Sequence, residues 1–182
     1  MRASVLSLTT LVGFTLACGG VGDQPADIGN PQTFTQDGLA FDYPGNWTAT
    51  VDPPQDGILS VQLENPGNAL VIVQSYPSGI RPDLDVATTT MVDAMVSSIS
   101  GATGGLAEMQ PPTITQGSRT IAGAPRDERI ANFTLQMFGI DVPHEMHLYA
   151  VDDVLVFTNV ADEDASYATP GFDQILDSMT IP

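Results

Sequence analysis

From about position 33 onward, apolar and polar residues alternate in short runs, the period of strands lying half-buried on a sheet. Leu39, Phe41 and Tyr43 make the first run, Trp47, Ala49 and Val51 the second, and Leu59, Val61 and Leu63 the third. Pro44-Gly45-Asn46, Pro53-Pro54-Gln55-Asp56-Gly57 and Asn65-Pro66-Gly67-Asn68 interrupt them with turn-forming residues. Connections this short predict antiparallel pairing. Residues 69–73 are apolar without a break, which predicts a strand covered on both faces. Further strands are predicted near residues 113–118, 127–138, 142–151 and 154–161, with Asp152-Asp153 as the tight turn before the last.

Two segments change period. Val92, Met95, Val96 and Ile99 fall at i, i+3, i+4 and i+7, one stripe of a helix. Pro82-Asp83-Leu84-Asp85 is its start signal, and Gly101 and Gly104-Gly105 its end. Phe172, Ile175, Leu176 and Met179 repeat the spacing near the C-terminus, with Thr169 as the expected N-cap and Pro170 at the first helical position. Each helix has one apolar face, and the only large partner is the sheet. The expectation is an α+β fold over residues 33–182: an antiparallel sheet of six to seven strands flanked by helices in an α/β/α sandwich.

The N-terminus is organised differently. Arg2 precedes an apolar stretch at residues 5–17, too short to span a bilayer and ending in Thr15-Leu16-Ala17-Cys18-Gly19. This resembles a bacterial lipoprotein signal, whose last small residue precedes a lipidated cysteine. The resemblance implies cleavage between Ala17 and Cys18 and acylation of Cys18, the only cysteine of the chain. The alternative is ordinary secretion with a free thiol that has no disulfide partner. The absence of Asp after the cysteine weakly favours the outer over the inner membrane. Residues 19–31, rich in Gly, Asp, Pro and Asn, are expected to tether Cys18 to the domain.

Charge narrows the partners. The chain has 22 acidic residues and 5 arginines, no lysine, and a net charge of −17. Loss of Arg2 with a leader leaves −18. Such a surface repels phosphate backbones and anionic head groups, which excludes nucleic acid. The membrane is expected as a partner through the lipid only, alongside an envelope protein.

The phrase Gly38-Leu39-Ala40-Phe41-Asp42-Tyr43-Pro44-Gly45-Asn46-Trp47 resembles the opening of the PsbP-like superfamily, and Phe172-Asp173-Gln174-Ile175-Leu176-Asp177-Ser178-Met179 its closing helix. That superfamily includes a photosystem subunit, a Ran-binding nuclear import factor and many bacterial lipoproteins. The resemblance implies a fold. It implies neither a photosynthetic nor a Ran-binding role here, given the acidity and the leader. Tyr43 and Trp47 read first as core and turn residues, and second as a ligand platform.

Candidate chemistry is sparse. His144-Glu145-Met146-His147 holds both histidines, but three apart on an expected strand, where they face opposite ways. His144 and Met146 share a face and offer soft and imidazole ligands for a metal such as copper. Asp162, Asp164, Ser166 and Asp173 match positions of a calcium loop, although Tyr167 replaces the required glycine. The plainer reading of both is strand surface and solvated helix-start charge. Arg126-Asp127-Glu128-Arg129 reads as charges paired on an exposed strand start. No G-x-S-x-G elbow and no phosphate-binding glycine motif is present. The expected function is therefore a lipid-anchored, non-enzymatic binding or assembly module of the cell envelope without a cofactor; the alternative is a receptor for a divalent cation or a small ligand.

Overall fold

In the computed structural model, residues 24–67, 69–104, 107–137 and 139–181 are described. Strands β1 (Gln32–Gln36) and β2 (Leu39–Tyr43) form a two-stranded ribbon. The main sheet follows: β3 (Thr48–Val51), β4 (Leu59–Glu64) and β5 (Leu70–Ser75), then helix α1 (Leu84–Thr103), then β6 (Ala107–Met109), β7 (Thr113–Ile121), β8 (Ala124–Met137), β9 (Ile140–Val151) and β10 (Val154–Ala161). A 3-10 turn at Asp162–Asp164 leads into helix α2 (Ala165–Ser178). The sheet order is β3-β4-β5-β10-β9-β8, and β6 and β7 share the free edge of β8. Every pairing is antiparallel.

Side-chain alternation divides the sheet into two faces. Val71, Val73, Tyr149, Val151, Val154 and Val156 point to one, where they meet the ribbon and Phe172, Ile175, Leu176 and Met179 of α2. Leu70, Ile72, Leu148, Leu155 and Phe157 point to the other, where they meet Leu84, Ala87, Met91, Val92, Met95 and Ile99 of α1. Full burial of one such side chain stabilises by roughly 1.5–3 kcal/mol, so a one-residue slip that moved a strand's whole set to the wrong face is strongly opposed. The α/β/α layering expected from the sequence is present.

Several expectations are corrected. The main sheet has eight strands, because the three residues of β6 are too few to show a period. The Pro44 turn does not close a hairpin: β2 pairs with β1 and β3 with β4, so the turn carries the chain from ribbon to sheet. Val96 stands 40% exposed, off the buried stripe of α1, and that helix runs past Gly101 to Thr103. Helix α2 begins five residues before Pro170, with Asp164 at its N-cap position. Proline there omits the hydrogen bond to the Ser166 carbonyl, on an exposed side of the helix.

The expected tether is shorter. Ala26 N donates to the Tyr167 carbonyl and Gly45 N to the Asp27 carbonyl, both at 3.0 Å. Asn46 accepts from Asp27 N at 2.9 Å and donates to the Pro25 carbonyl at 3.0 Å. Gln174 holds the Ile28 carbonyl at 3.2 Å. Residues 25–31 therefore belong to the folded unit, along α2. Ala17, Cys18 and residues 19–23 lie outside the described residues. Among the described residues, no helix is long and apolar enough to cross a membrane.

Candidate functional site: a cavity beneath the first helix

Helix α1 is built from weak helix formers. Asp83 caps it, accepting from Asp85 N at 2.9 Å. Thr88, Thr89 and Thr90 then turn their hydroxyls back to the carbonyls of Leu84, Asp85 and Val86 at 2.7, 3.0 and 2.8 Å. β-Branched residues lose rotamer freedom in a helix, and this back-bonding slightly destabilises and bends it. The N-terminal half of α1 is pinned from outside instead. The Arg129 guanidinium holds Asp85 at 2.5 Å, which lowers the Asp85 carboxyl below its ordinary range. Arg81 donates to the Asp152 carbonyl at 2.7 Å and the Pro82 carbonyl at 3.1 Å, tying the approach to the helix to the β9–β10 turn.

Between this half of α1 and the sheet lies a cavity of about 300 Å³. Ala87, Thr90 and Met91 form its roof, and Ile72, Leu148, Leu155 and Phe157 its floor. Ile80 and Val86 stand at its edge, 43% and 59% exposed. No charged side chain lines it. Three polar residues do, Thr90 among them. Gln74 and Tyr76 follow Ile72 on the same face at the end of β5, and both are buried. The Tyr76 hydroxyl donates to Gln74 Oε1 at 2.9 Å. Burial pushes the phenol up to about 12, against the opposing pull of Arg81, so it stays neutral.

A second polar group sits on the opposite face. His147 Nδ1 is 2.6 Å from Glu128 Oε1, and its Nε2 is 2.7 Å from Glu145 Oε1. Both ring nitrogens thus face carboxylate oxygens, which only accept. The ring stacks on Tyr149 at 5.9 Å, and burial together with the Glu128 charge pushes the Tyr149 phenol well above its ordinary range. Arg119, beside Tyr149, reaches Asp173 of α2 at 2.7 Å. Through these contacts the array ties β7, β8 and β9 to α2.

The residues singled out from the sequence are not brought together. Trp47 is buried, packing edge-on against Phe172 at 5.7 Å, and Tyr43 is buried with its hydroxyl on Gln32 at 3.2 Å. Neither lines the cavity, so the ligand-platform reading fails: both rings are consumed by the α2 core. His144 and Met146 share the α1 face as expected, but His144 stacks on Phe133 at 5.3 Å and Met146 is fully buried. Burial pushes the His144 imidazole down, opposed by Asn159 and Asp162. Asp162 and Asp164 fall in the 3-10 turn, while Ser166 and Asp173 are inside α2, which carries Asp173 about 12 Å along the helix axis. No calcium loop exists there. Among the described residues, no three His, Cys, Asp or Glu side chains converge on a metal position. Arg126 and Arg129 pair with Asp152 and Asp85 rather than with their neighbours.

The cavity and the Glu128–His147 pair escaped sequence reading. The one available signal was polar Gln74 directly after an apolar run.

No protein-family model matches the sequence, and no curated protein matches it. Among solved structures, cyanobacterial PsbP (CyanoP) from Synechocystis sp. PCC 6803 is similar, at 18% identity and a TM-score of 0.51, over 91% of this chain and 98% of that one. Protein PA94 from Pseudomonas aeruginosa, of unknown function, is similar at 13% identity and a TM-score of 0.31, over 80% of this chain and 92% of that one. The second likeness is too low to bear on architecture. The first agrees with the antiparallel sheet and the two flanking helices, and the chain has a PsbP-like fold.

Proposed function

We propose that this protein is a lipid-anchored, non-enzymatic binding module of the bacterial cell envelope, with the cavity beneath α1 as its ligand site. The cavity carries the reading. It lies at the lower end of the ~300–1,000 Å³ range of small-molecule sites, with an apolar wall and few polar groups. The small-ligand alternative is thereby absorbed into the main reading, and among the described residues no set of ligating side chains supports the cation alternative.

The folded unit supports a close anchorage. Residue 25 is already held to the domain, so six residues separate it from Cys18. Fully extended, the seven steps from Cys18 to residue 25 reach no more than about 25 Å. The N-terminal segment runs along α2, which orients the α2 side to the membrane and leaves the cavity side free to take up ligand.

Two measurements test the reading. Labelling of intact cells with an alkyne-bearing fatty acid should mark the wild-type chain and not Cys18→Ala, and the variant should move to the soluble fraction. Unchanged membrane association of the variant counts against the anchor. Native mass spectrometry of the full chain from its host should show a bound small molecule that is lost when Ala87→Leu fills the cavity. Equal loading of both forms counts against the site.

A further inference from the structure

We infer that the cavity takes a neutral, hydrocarbon-rich molecule carrying one uncharged hydrogen-bond acceptor, such as a ketone or ester carbonyl, which the buried amide of Gln74 reads. The inference rests on the cavity being a ligand site and adds the class of ligand. In a chain of net charge −17 the lining contains no charged residue. A carboxylate or ammonium group placed there is stripped of water without a counter-charge, which is strongly unfavourable. Arg81, whose charge acts on Tyr76, lies outside the lining, with its guanidinium directed to the Asp152 and Pro82 carbonyls.

Gln74 supplies the specificity. It is 94% buried, given its 6% exposure, and its Oε1 is taken by the Tyr76 hydroxyl. Its Nε2 makes no hydrogen bond to another described residue. That nitrogen is not sealed off: it opens on a cavity large enough to hold an acceptor for it. Tyr76 stays protonated and occupies the other end of the amide, so Gln74 presents a donor and no charge. The remaining lining is aliphatic, aromatic or thioether, apart from Thr90, whose hydroxyl already serves the Val86 carbonyl. One donor at one end of an apolar space selects one acceptor on an apolar body.

Methyl-detected NMR titration of the full chain tests this with four probes of equal length: 2-octanone, n-octane, octanoate and octylammonium. The expected result is saturable shifts of the Ile72, Leu148 and Leu155 methyls with 2-octanone, and binding at least tenfold weaker for both ions. Gln74→Met should weaken the ketone about tenfold, one hydrogen bond's worth, and leave octane unchanged. Ala87→Leu should abolish all shifts while the remaining spectrum stays native. Octanoate binding as tightly as the ketone, or a Gln74→Met variant that keeps full ketone affinity, overturns the neutral-acceptor inference and leaves the cavity site standing. Absence of saturable methyl shifts with every probe, or their persistence in Ala87→Leu, overturns the cavity site itself.

Discussion

On its α2 face the sheet meets a ribbon and a helix that leave no room: a Cβ at Gly171 would lie 2.7 Å from Trp47 Cζ2 and 2.8 Å from Pro44 Cγ. On its α1 face the same strands meet a threonine-rich helix across a cavity of about 300 Å³, with a buried amide and phenol at one end. β5 and β10 contribute to both, residue by residue in alternation. The contrast teaches that one sheet can divide its duties. The α2 face is packed for stability and draws in the N-terminal segment, whereas the α1 face gives up packing density around the cavity, the ligand site proposed above. Cavities carry a stability penalty that grows with their volume, so the α1 face is the less stable half by construction.

Substitutions should separate the faces. Trp47→Ala removes the centre of the α2 core and should lower stability by about 3–5 kcal/mol, read from the urea midpoint. A loss under 1 kcal/mol would make that face no tighter than the other. Gly171→Ala comes next. In an exposed helix it would gain about 1 kcal/mol. Here the new methyl meets ring and proline carbons, and a net loss of about 1–3 kcal/mol is expected. A gain would show that Trp47 has room to shift. Ala87→Leu adds a larger side chain on the opposite face, into space, and should be neutral or stabilising by up to about 1 kcal/mol. A loss matching that of Gly171→Ala would erase the contrast.

The smallest effect concerns acid. Burial lowers the pKa of His144 in the folded protein, so as pH falls through the ordinary imidazole value of about 6.5 the unfolded chain takes up a proton that the folded one does not. This part of the stability is present above that value and is lost below it. Urea midpoints measured at pH 7.5 and 5.5 should therefore fall less in His144→Phe, which keeps the stack on Phe133, than in the wild type. Equal falls would place the acid sensitivity of the α1 side elsewhere.

Much of the fold was legible in the sequence. Alternation marked β2 and β4, an unbroken apolar run marked β5, Asp83 marked the start of α1, and the stripe from Phe172 to Met179 marked the buried side of α2. The candidate chemistry was not. His144-Glu145-Met146-His147 drew notice as neighbours in sequence, yet the partner that matters to His147 is Glu128, 19 residues away on the adjacent strand. Trp47 suggested a ligand surface because aromatic rings serve surfaces and cores alike, and its burial depended on a glycine 124 positions later.

What the sequence determined by itself is local: which segments are strands and helices, and which of their residues share a side. Periodicity carries that information because backbone geometry repeats every two or 3.6 residues. Only the tertiary structure decided which sides touch, that Gly171 admits Trp47, that Glu128 meets His147, and that α1 stands off the sheet over Gln74 and Tyr76. A cavity is a property of the space between elements. It depends on register and on the summed volumes of side chains from β5, β9, β10 and α1, and no single segment encodes that sum.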